Sequence, residues 1–495
     1  MEAILALDEG TTSTRAFLVD TKLAVLAQAQ VEFEQYFPQP GWVEHDPDEI
    51  WRAVLKTVKK LTTKGKVTIV GIGITNQRET VCFWERSTGK ALGRAIVWQD
   101  RRTAETCDTL RAKGMEPYFQ ERTGLLLDPY FSGTKIAWAL QNWPDVKAAH
   151  KRGDLAVGTI DTFLINRLTG GTAHVTEPSN ASRSLCFHLQ QARWDPEACQ
   201  TLGVPMEILP EVLPSNEKFG VTDGVPGIKD GTPITGVLGD QQAALFGQAC
   251  FDPGAAKCTY GTGSFMLLNT GNRLARSRHR LISTIAWSFL GERTTYALEG
   301  SAFIAGAAVQ WARDGLGIIR ESSEIEKLAM SVKSSEGVVF VPALTGLGAP
   351  HWASSATGLL SGITRGTGRG HIARAILEGI AFQNADILQA MQKDFGQPIA
   401  AVLVDGGACK NDLLMQFQAD VLGVELRRPK QIETTVMGAV FAAGLGCGVW
   451  TDRESIKKAW KKDRSFTPEI SEKDREKLLK GWNAAVKMAK GSNAS

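Results

Sequence analysis

The sequence predicts an α/β protein built from a duplicated domain, and three observations predict it. Strand-like and helix-like segments alternate along the chain. Two hairpin patterns with Gly/Thr/Ser turns recur about 250 residues apart. Finally, 495 residues exceed what one hydrophobic core ordinarily organises.

The first hairpin opens the chain. Ile4-Leu5-Ala6-Leu7 reads as a strand, Asp8-Glu9-Gly10-Thr11-Thr12-Ser13 as a polar turn, and Ala16-Phe17-Leu18-Val19 as the returning strand. The second repeats the scheme in Ala256-Lys257-Cys258-Thr259, Tyr260-Gly261-Thr262-Gly263-Ser264 and Phe265-Met266-Leu267-Leu268. This repeat divides the chain into an N-terminal unit, residues 1–249, and a C-terminal unit, residues 250–495, with the seam at Cys250-Phe251-Asp252-Pro253-Gly254. A chance pair of Gly/Thr-rich hairpins is the competing account. Elsewhere, residues 67–74 read as a buried strand, and Asp48-Glu49 open a helix with acidic side chains in its first turn. Residues 401–404 form a strand stopped by Asp405-Gly406-Gly407. A helix follows, with Leu413, Leu414, Phe417 and Val421 on one side.

Composition narrows the function classes. With 43% hydrophobic and 22% charged residues, the chain is globular rather than disordered or fibrous. Its 56 basic and 53 acidic residues leave a formal charge of +3, too little to imply a nucleic-acid partner. The Lys-rich stretch 454–490 also carries Asp and Glu and reads as a solvated helical face. No apolar run approaches the ~18–20 residues that span a bilayer, and the first residues enter a strand pattern without a basic leader. Eight cysteines lie scattered with no Cys-x-x-Cys, and the histidines lack metal-ligand spacing. A reduced, cytoplasmic protein without nucleic-acid or membrane partner is expected.

Five stretches and two aromatic residues carry chemistry. In the first turn, backbone N–H groups with the Thr11, Thr12 and Ser13 hydroxyls suit phosphate oxygens. Asp8 suits Mg²⁺, and Arg15 the charge on a transferring phosphoryl group. A polar hairpin with a surface Arg is the plain alternative. The turn Gly261-Thr262-Gly263-Ser264 is a second phosphate-loop candidate. Gly406-Gly407 leaves room for a base or ribose, with Asn411 nearby as a polar contact or simply an N-cap. Asp240, in a turn entering a helix, reads as N-cap, general base or both. Arg78-Glu79 reads as a polyol-binding pair or a surface ion pair, and Trp98 and Phe265 as a ligand's apolar wall or as core.

Taken in order, these stretches resemble the FGGY carbohydrate kinases of the actin/hexokinase-like superfamily. Leu7-Asp8-Glu9-Gly10-Thr11-Thr12-Ser13 is similar to that family's phosphate loop. Pro40-Gly41-Trp42-Val43-Glu44-His45-Asp46-Pro47, Ile74-Thr75-Asn76-Gln77-Arg78-Glu79-Thr80, Asp128-Pro129-Tyr130-Phe131-Ser132-Gly133-Thr134-Lys135 and residues 239–248 resemble its glycerol-phosphorylating branch. Similarity continues through residues 260–263, 297–300, 404–407 and 416–420, and fades after about Trp450. The resemblance implies two actin-like (ribonuclease H-like) domains with an active-site cleft between them. It implies transfer of the γ-phosphoryl group of ATP to glycerol, giving sn-glycerol 3-phosphate and ADP with Mg²⁺ as cofactor, in a homo-oligomer (dimer or tetramer). By the same resemblance Asp240 is the catalytic base and Arg15 assists. Arg78, Glu79, Tyr130, Asp240 and Gln241 bind glycerol, with Trp98 and Phe265 on its carbons. Thr11, Thr12, Ser13, Arg15, Thr262, Gly306, Gln310, Gly407 and Asn411 hold the nucleotide, and Asp8 the metal. The neighbouring alternatives are another polyol or ketose as substrate, and a non-catalytic nucleotide-binding scaffold.

Departures from the family pattern are few. Glu9 stands where Gln is usual, and Asp100 where many members of the glycerol-phosphorylating branch have Cys. Ala353 and Thr357, after Gly348-Ala349-Pro350-His351-Trp352, replace an acidic residue and an Arg, which puts that loop's local structure in question. Residues 227–233 lack the Gly-Gly-x-Arg that binds fructose 1,6-bisphosphate in some bacterial members, so inhibition by this sugar is expected to be weak or absent.

Overall fold

The computed structural model describes residues 1–62 and 67–491. Strands β1 (Glu2–Glu9), β2 (Ser13–Asp20) and β3 (Val25–Glu32) form an antiparallel meander. On the other edge of β1, β4 (Thr68–Asn76) and then β5 (Pro233–Gly239) add in parallel, giving the order β3-β2-β1-β4-β5. A second sheet repeats this. Its β6 (Ala256–Tyr260), β7 (Ser264–Gly271) and β8 (Thr295–Ala302) are antiparallel, while β9 (Ala401–Asp405) and β10 (Glu425–Pro429) run parallel to β6. The order is β8-β7-β6-β9-β10, with outer strands Ile282–Trp287 and Lys462–Phe466. Two hairpins with matching turns therefore mark two sheets of one topology.

Helix α1 (Pro47–Thr62) follows β3, and α2 (Asp240–Gly247) follows β5. On the second sheet α3 (Gly306–Asp314) and α4 (Arg369–Phe395) lie between β8 and β9, α5 (Asp412–Leu422) between β9 and β10, and α6 (Thr434–Gly446) after β10. Strand β1 is apolar at consecutive positions because both its faces are covered. Ala3, Leu5 and Leu7 meet Ile50, Val54 and Val58 of α1, whereas Ile4 and Ala6 meet the side where α2 and α6 lie. Pro47 pre-sets the first turn of α1, and Asp48 and Glu49 sit at its positive end.

The two halves meet at α2 and α6. A Cβ on Gly247 would fall 1.9 Å from Thr434 O, and one on Gly438 1.9 Å from Ala243 O, so the crossing excludes any side chain at either position. Leu245, Phe246, Val440 and Ala443 share one core with Leu267 and Ala297 of the second sheet. Thus α6, from the C-terminal half, closes the core of the first sheet.

Two expectations change in detail. In α5, Leu414 and Val421 are buried but Leu413 and Phe417 are only half-buried. Gln418 is fully buried with Leu414 and Val421; it accepts from Tyr260 Oη (2.8 Å) and Asn384 Nδ2 (2.9 Å) and donates to Ala381 O (2.9 Å). The stretch 454–490 is not one solvated helical face. It contains most of a short helix, Arg453–Ala459, the edge strand Lys462–Phe466, and the helix Glu472–Ala489. That last helix is anchored by fully buried Trp482, whose Nε1 donates to Asp386 Oδ2 at 2.7 Å. Among the described residues, no helix is long and apolar enough to cross a membrane.

Candidate active site

The first turn is closed by Gly10 N donating to Ser13 O at 3.0 Å. Antiparallel register places Asp8 opposite Arg15. Arg15 Nε donates to Asp8 Oδ2 at 2.9 Å and Nη2 bonds the same oxygen, while Nη1 reaches Glu433 Oε2, 2.5 Å away at the head of α6. Burial raises the Asp8 pKa against the pull of Arg15. Among the described residues, the side-chain hydrogen bonds to Asp8 fall on Oδ2 alone, leaving Oδ1, a hard carboxylate oxygen suited to Mg²⁺. Thr11 takes a hydrogen bond from Trp98 Nε1 at 2.9 Å, and Ser13 Oγ one from Gln30 Nε2 at 3.1 Å. Thr12 is exposed. Glu9 is fully buried, accepts from Thr14 Oγ1 at 2.6 Å, and is pushed by burial well above the usual carboxylate range. A neutral Glu has the shape of the Gln it replaces.

Behind this turn lies a buried charge cluster. Arg78, just past β4, donates to Glu299 Oε2 from Nη1 (2.6 Å) and to Glu299 Oε1 from Nη2 (3.0 Å). It also donates to Gln242 Oε1 (3.1 Å) and Tyr130 Oη (3.3 Å), and its Nε lies 3.2 Å from Asp240 Oδ1. Glu79, with a left-handed φ of 63°, accepts from Arg183 Nε at 2.5 Å, and Arg183 Nη2 donates to Glu299 at 2.9 Å. Against burial, Arg183 and Arg78 hold Glu299 down at about 2, whereas burial keeps Glu79 raised. Arg78 and Glu79 are thus no surface pair; each is fixed by a partner distant in sequence.

Asp240 is the first residue of α2, and the N-cap is Gly239, so the expected N-cap role is not realised. Its Oδ1 instead accepts from Gln241 N (2.7 Å) and its Oδ2 from Gln241 Nε2 (3.1 Å). Its side chain is 31% exposed, against 1% for Glu79 and 0% for Glu299, so of these three carboxylates it alone can meet a ligand. Lys257 Nζ donates to Gln241 Oε1 at 2.6 Å. The Trp98 ring stands edge-on to Tyr130 (5.6 Å) and Phe265 (6.3 Å), so three chain segments build one aromatic wall.

Around the second turn, Ala305 N and Ala307 N donate to Thr262 O (2.8 and 3.0 Å) and Gly306 N to Gly261 O (3.0 Å), docking the start of α3 there. Gln310, one helical turn on, is exposed and joined to none of these groups by a hydrogen bond among the described residues. At Gly407 nothing lies within 4 Å of where a Cβ would stand. Asn411 caps α5, its Oδ1 accepting from Leu414 N at 2.8 Å.

Sequence reasoning missed Glu299, Arg183, Lys257, Gln242 and Glu433 as parts of the site. Glu299 and Lys257 left a signal, since each is a charge inside a strand otherwise fit for burial. Arg183, Gln242 and Glu433 left none. Asp100 is explained locally. It accepts from Val43 N (2.7 Å) and from Arg102 Nε (2.9 Å), and Arg102 lies 3.8 Å over the Trp42 ring. The loop with Ala353 is tied by Leu347 N to Ala353 O (2.9 Å) and Ala353 N to Leu347 O (3.0 Å), bonds that need no particular side chain.

The chain is similar to known proteins along nearly its whole length. Residues 3–247 match the N-terminal domain of the FGGY family of carbohydrate kinases and residues 256–447 its C-terminal domain. A glycerol kinase of Myxococcus xanthus is 53% identical over 491 residues, 98% of this chain and 99% of that protein. One of Bdellovibrio bacteriovorus is 51% identical over 486 residues, 98% of each. The crystal structure of Plasmodium falciparum glycerol kinase with ADP superposes with a TM-score of 0.92 at 39% identity, covering 99% of this chain and 98% of that one. With both family domains matched in order and these relatives aligned nearly end to end, the chain belongs to the FGGY family of carbohydrate kinases.

Proposed function

We infer that the chain transfers the γ-phosphoryl group of ATP to a terminal hydroxyl of glycerol, giving sn-glycerol 3-phosphate and ADP. The observation that carries this reading is Asp240: an open carboxylate, oriented by Arg78 and Gln241, beside two acids, Glu79 and Glu299, that are sealed. The near full-length identity to proteins named glycerol kinases supports the substrate.

Phosphoryl transfer needs in-line positioning and charge neutralisation rather than covalent chemistry. Asp240 takes the proton of the attacking hydroxyl. Arg78, Glu79, Tyr130 and Gln241 hold the polyol's oxygens, while Trp98 and Phe265 cover its carbons. Thr11, Thr12 and Ser13 receive the phosphates, and Arg15 turns from Glu433 toward the transferring group. Asp8 holds Mg²⁺, which when bound neutralises phosphate charge. Thr262, Gly306, Gln310, Gly407 and Asn411 line the nucleoside side. A buried polar site matched to a triol discriminates against analogues that leave its groups unpaired. The reading includes a cytoplasmic homo-oligomer, dimer or tetramer.

Mg-ATP-dependent ADP release across glycerol, dihydroxyacetone, erythritol, xylulose and ribulose tests it. Preference for glycerol is expected. Preference for a longer substrate overturns the assigned specificity, and silence on all five overturns catalysis.

A further inference from the structure

His45 belongs to the stretch Pro40-Gly41-Trp42-Val43-Glu44-His45-Asp46-Pro47, which the proposed reaction leaves unused, and its side chain is fully buried. Its two ring nitrogens face two glutamines. Nε2 is 2.7 Å from Gln35 Oε1, and Nδ1 is 3.3 Å from Gln77 Nε2. The orientation of each glutamine is fixed by a second bond. Gln35 Nε2 donates to Thr11 O at 2.9 Å. Gln77 Nε2 donates to Gly10 O at 3.0 Å, and its Oε1 accepts from Thr80 Oγ1 at 2.9 Å. The ring is therefore neutral, with its proton on Nε2. Phe33 packs edge-on against it at 5.1 Å, and burial pushes its pKa down to about 3.

These bonds converge on one feature. Gln77 N donates to Glu9 O (2.7 Å) and Phe33 N to Thr12 O (3.4 Å). With the two glutamine amides, they engage four consecutive carbonyls, those of residues 9, 10, 11 and 12. The N–H groups of Thr11 and Thr12 donate to no protein acceptor among the described residues. Successive free amides in a turn are the groups that form an anion-binding nest, and the held carbonyls fix the backbone that carries them.

We propose that His45 is a positioning residue for phosphoryl transfer, holding Gln35 and Gln77 so that the Thr11 and Thr12 amides stay available to the phosphates of ATP. The proposal rests on the reading of this turn as the phosphate site.

The test uses the full-length protein and two conservative variants. His45→Gln sets an amide where Nε2 stood, keeping the bond to Gln35 and losing that to Gln77. His45→Asn sets its oxygen where Nδ1 stood and does the reverse. Each is expected to raise the Mg-ATP KM roughly 2- to 10-fold, the span of one lost hydrogen bond, while the glycerol KM moves less. His45→Ala, if it folds, should exceed both. Equal rises in both KM values, or an unchanged Mg-ATP KM in the folded Gln and Asn variants, would overturn the proposal. A Thr12→Glu variant, which sets a carboxylate beside the two amides at an exposed position, reports on the parent reading. If it leaves the Mg-ATP KM unchanged, the turn is not the phosphate site and both readings fall. If it raises that KM while the His45 variants do not, only the role of His45 falls.

Discussion

Arg78 donates two hydrogen bonds to Glu299, at 2.6 and 3.0 Å, and so ties a loop of the first half to the middle of a strand of the second. Arg183 shares Glu299 and holds Glu79. Two guanidiniums thus face Glu79, Glu299 and Asp240, and the acid left open to a ligand is Asp240.

Removing Glu299 strands two buried cations. Breaking a buried ion pair by deleting one partner costs about 3–5 kcal/mol, far more than the intact pair contributes. Glu299→Gln keeps the shape and removes the charge. It should fall at the lower end of that range, with a lower Tm and a raised glycerol KM, because Arg78 loses its fixed orientation. Calorimetric melting at one scan rate with substrate kinetics checks this; an unchanged Tm would mean that Glu299 holds neither guanidinium in solution.

Glu433 makes a contrasting case. Its side chain and that of Arg15 are 36% and 31% exposed, so their pairing adds little stability, within about 0–1 kcal/mol. In the site, however, Glu433 competes with the transferring phosphate for Arg15 Nη1 and adds negative charge beside it. Glu433→Gln should leave Tm nearly unchanged and lower the Mg-ATP KM. A raised KM would show instead that Glu433 aims Arg15 at the nucleotide.

The legible parts of the site were those whose chemistry is local. Asp8, Thr11 and Arg15 lie on one hairpin, and the turn that joins them is continuous in sequence, so spacing alone brought them together. Duplication was legible for the same reason: each half announces itself with a hairpin. Glu299 and Arg78 are 221 residues apart, and nothing local to either residue encodes that meeting. Sequence also could not tell the N-cap from the first helical residue at Gly239-Asp240, a one-residue shift that turns both Asp240 oxygens to Gln241. Nor could periodicity foresee that Gln418 would take a buried position of α5, since its burial depends on polar partners from β6 and α4.

Asp240→Asn tests the chemical step alone. The amide keeps the shape of the carboxylate but cannot accept a proton, and loss of a general base lowers turnover by roughly 10²–10⁴-fold. Gly239 makes no side-chain cap bond, and the Asn oxygen can still accept from Gln241 N, so Tm should stay close to that of the parent. Turnover near that of the parent in the folded variant would remove Asp240 as base.

Acid stability depends on two histidines, His45 fully buried and His174 half-buried. Burial holds His45 at about 3 and His174 at about 4, against roughly 6.5 in the unfolded chain. His174 donates from Nε2 to Val157 O (2.9 Å) and takes a bond from Arg86 at Nδ1 (3.0 Å), so it too is neutral in the fold. Because only the unfolded chain takes up these protons, their contribution is present above about pH 6.5 and is lost as pH falls toward 4 and 3. Glu177 slopes the other way. Burial raises it to about 7, so its contribution is present below the unfolded value near 4.5 and is lost as pH rises toward 7. Wild-type melting alone therefore mixes opposed terms, and the difference between wild type and His45→Gln isolates one of them. At pH 8 the variant should melt lower, having lost the bond to Gln77. That gap should narrow steadily below pH 6.5, since only the wild type must keep an imidazole uncharged. A gap that stays constant from pH 8 to pH 5 would mean that His45 titrates normally in the folded protein.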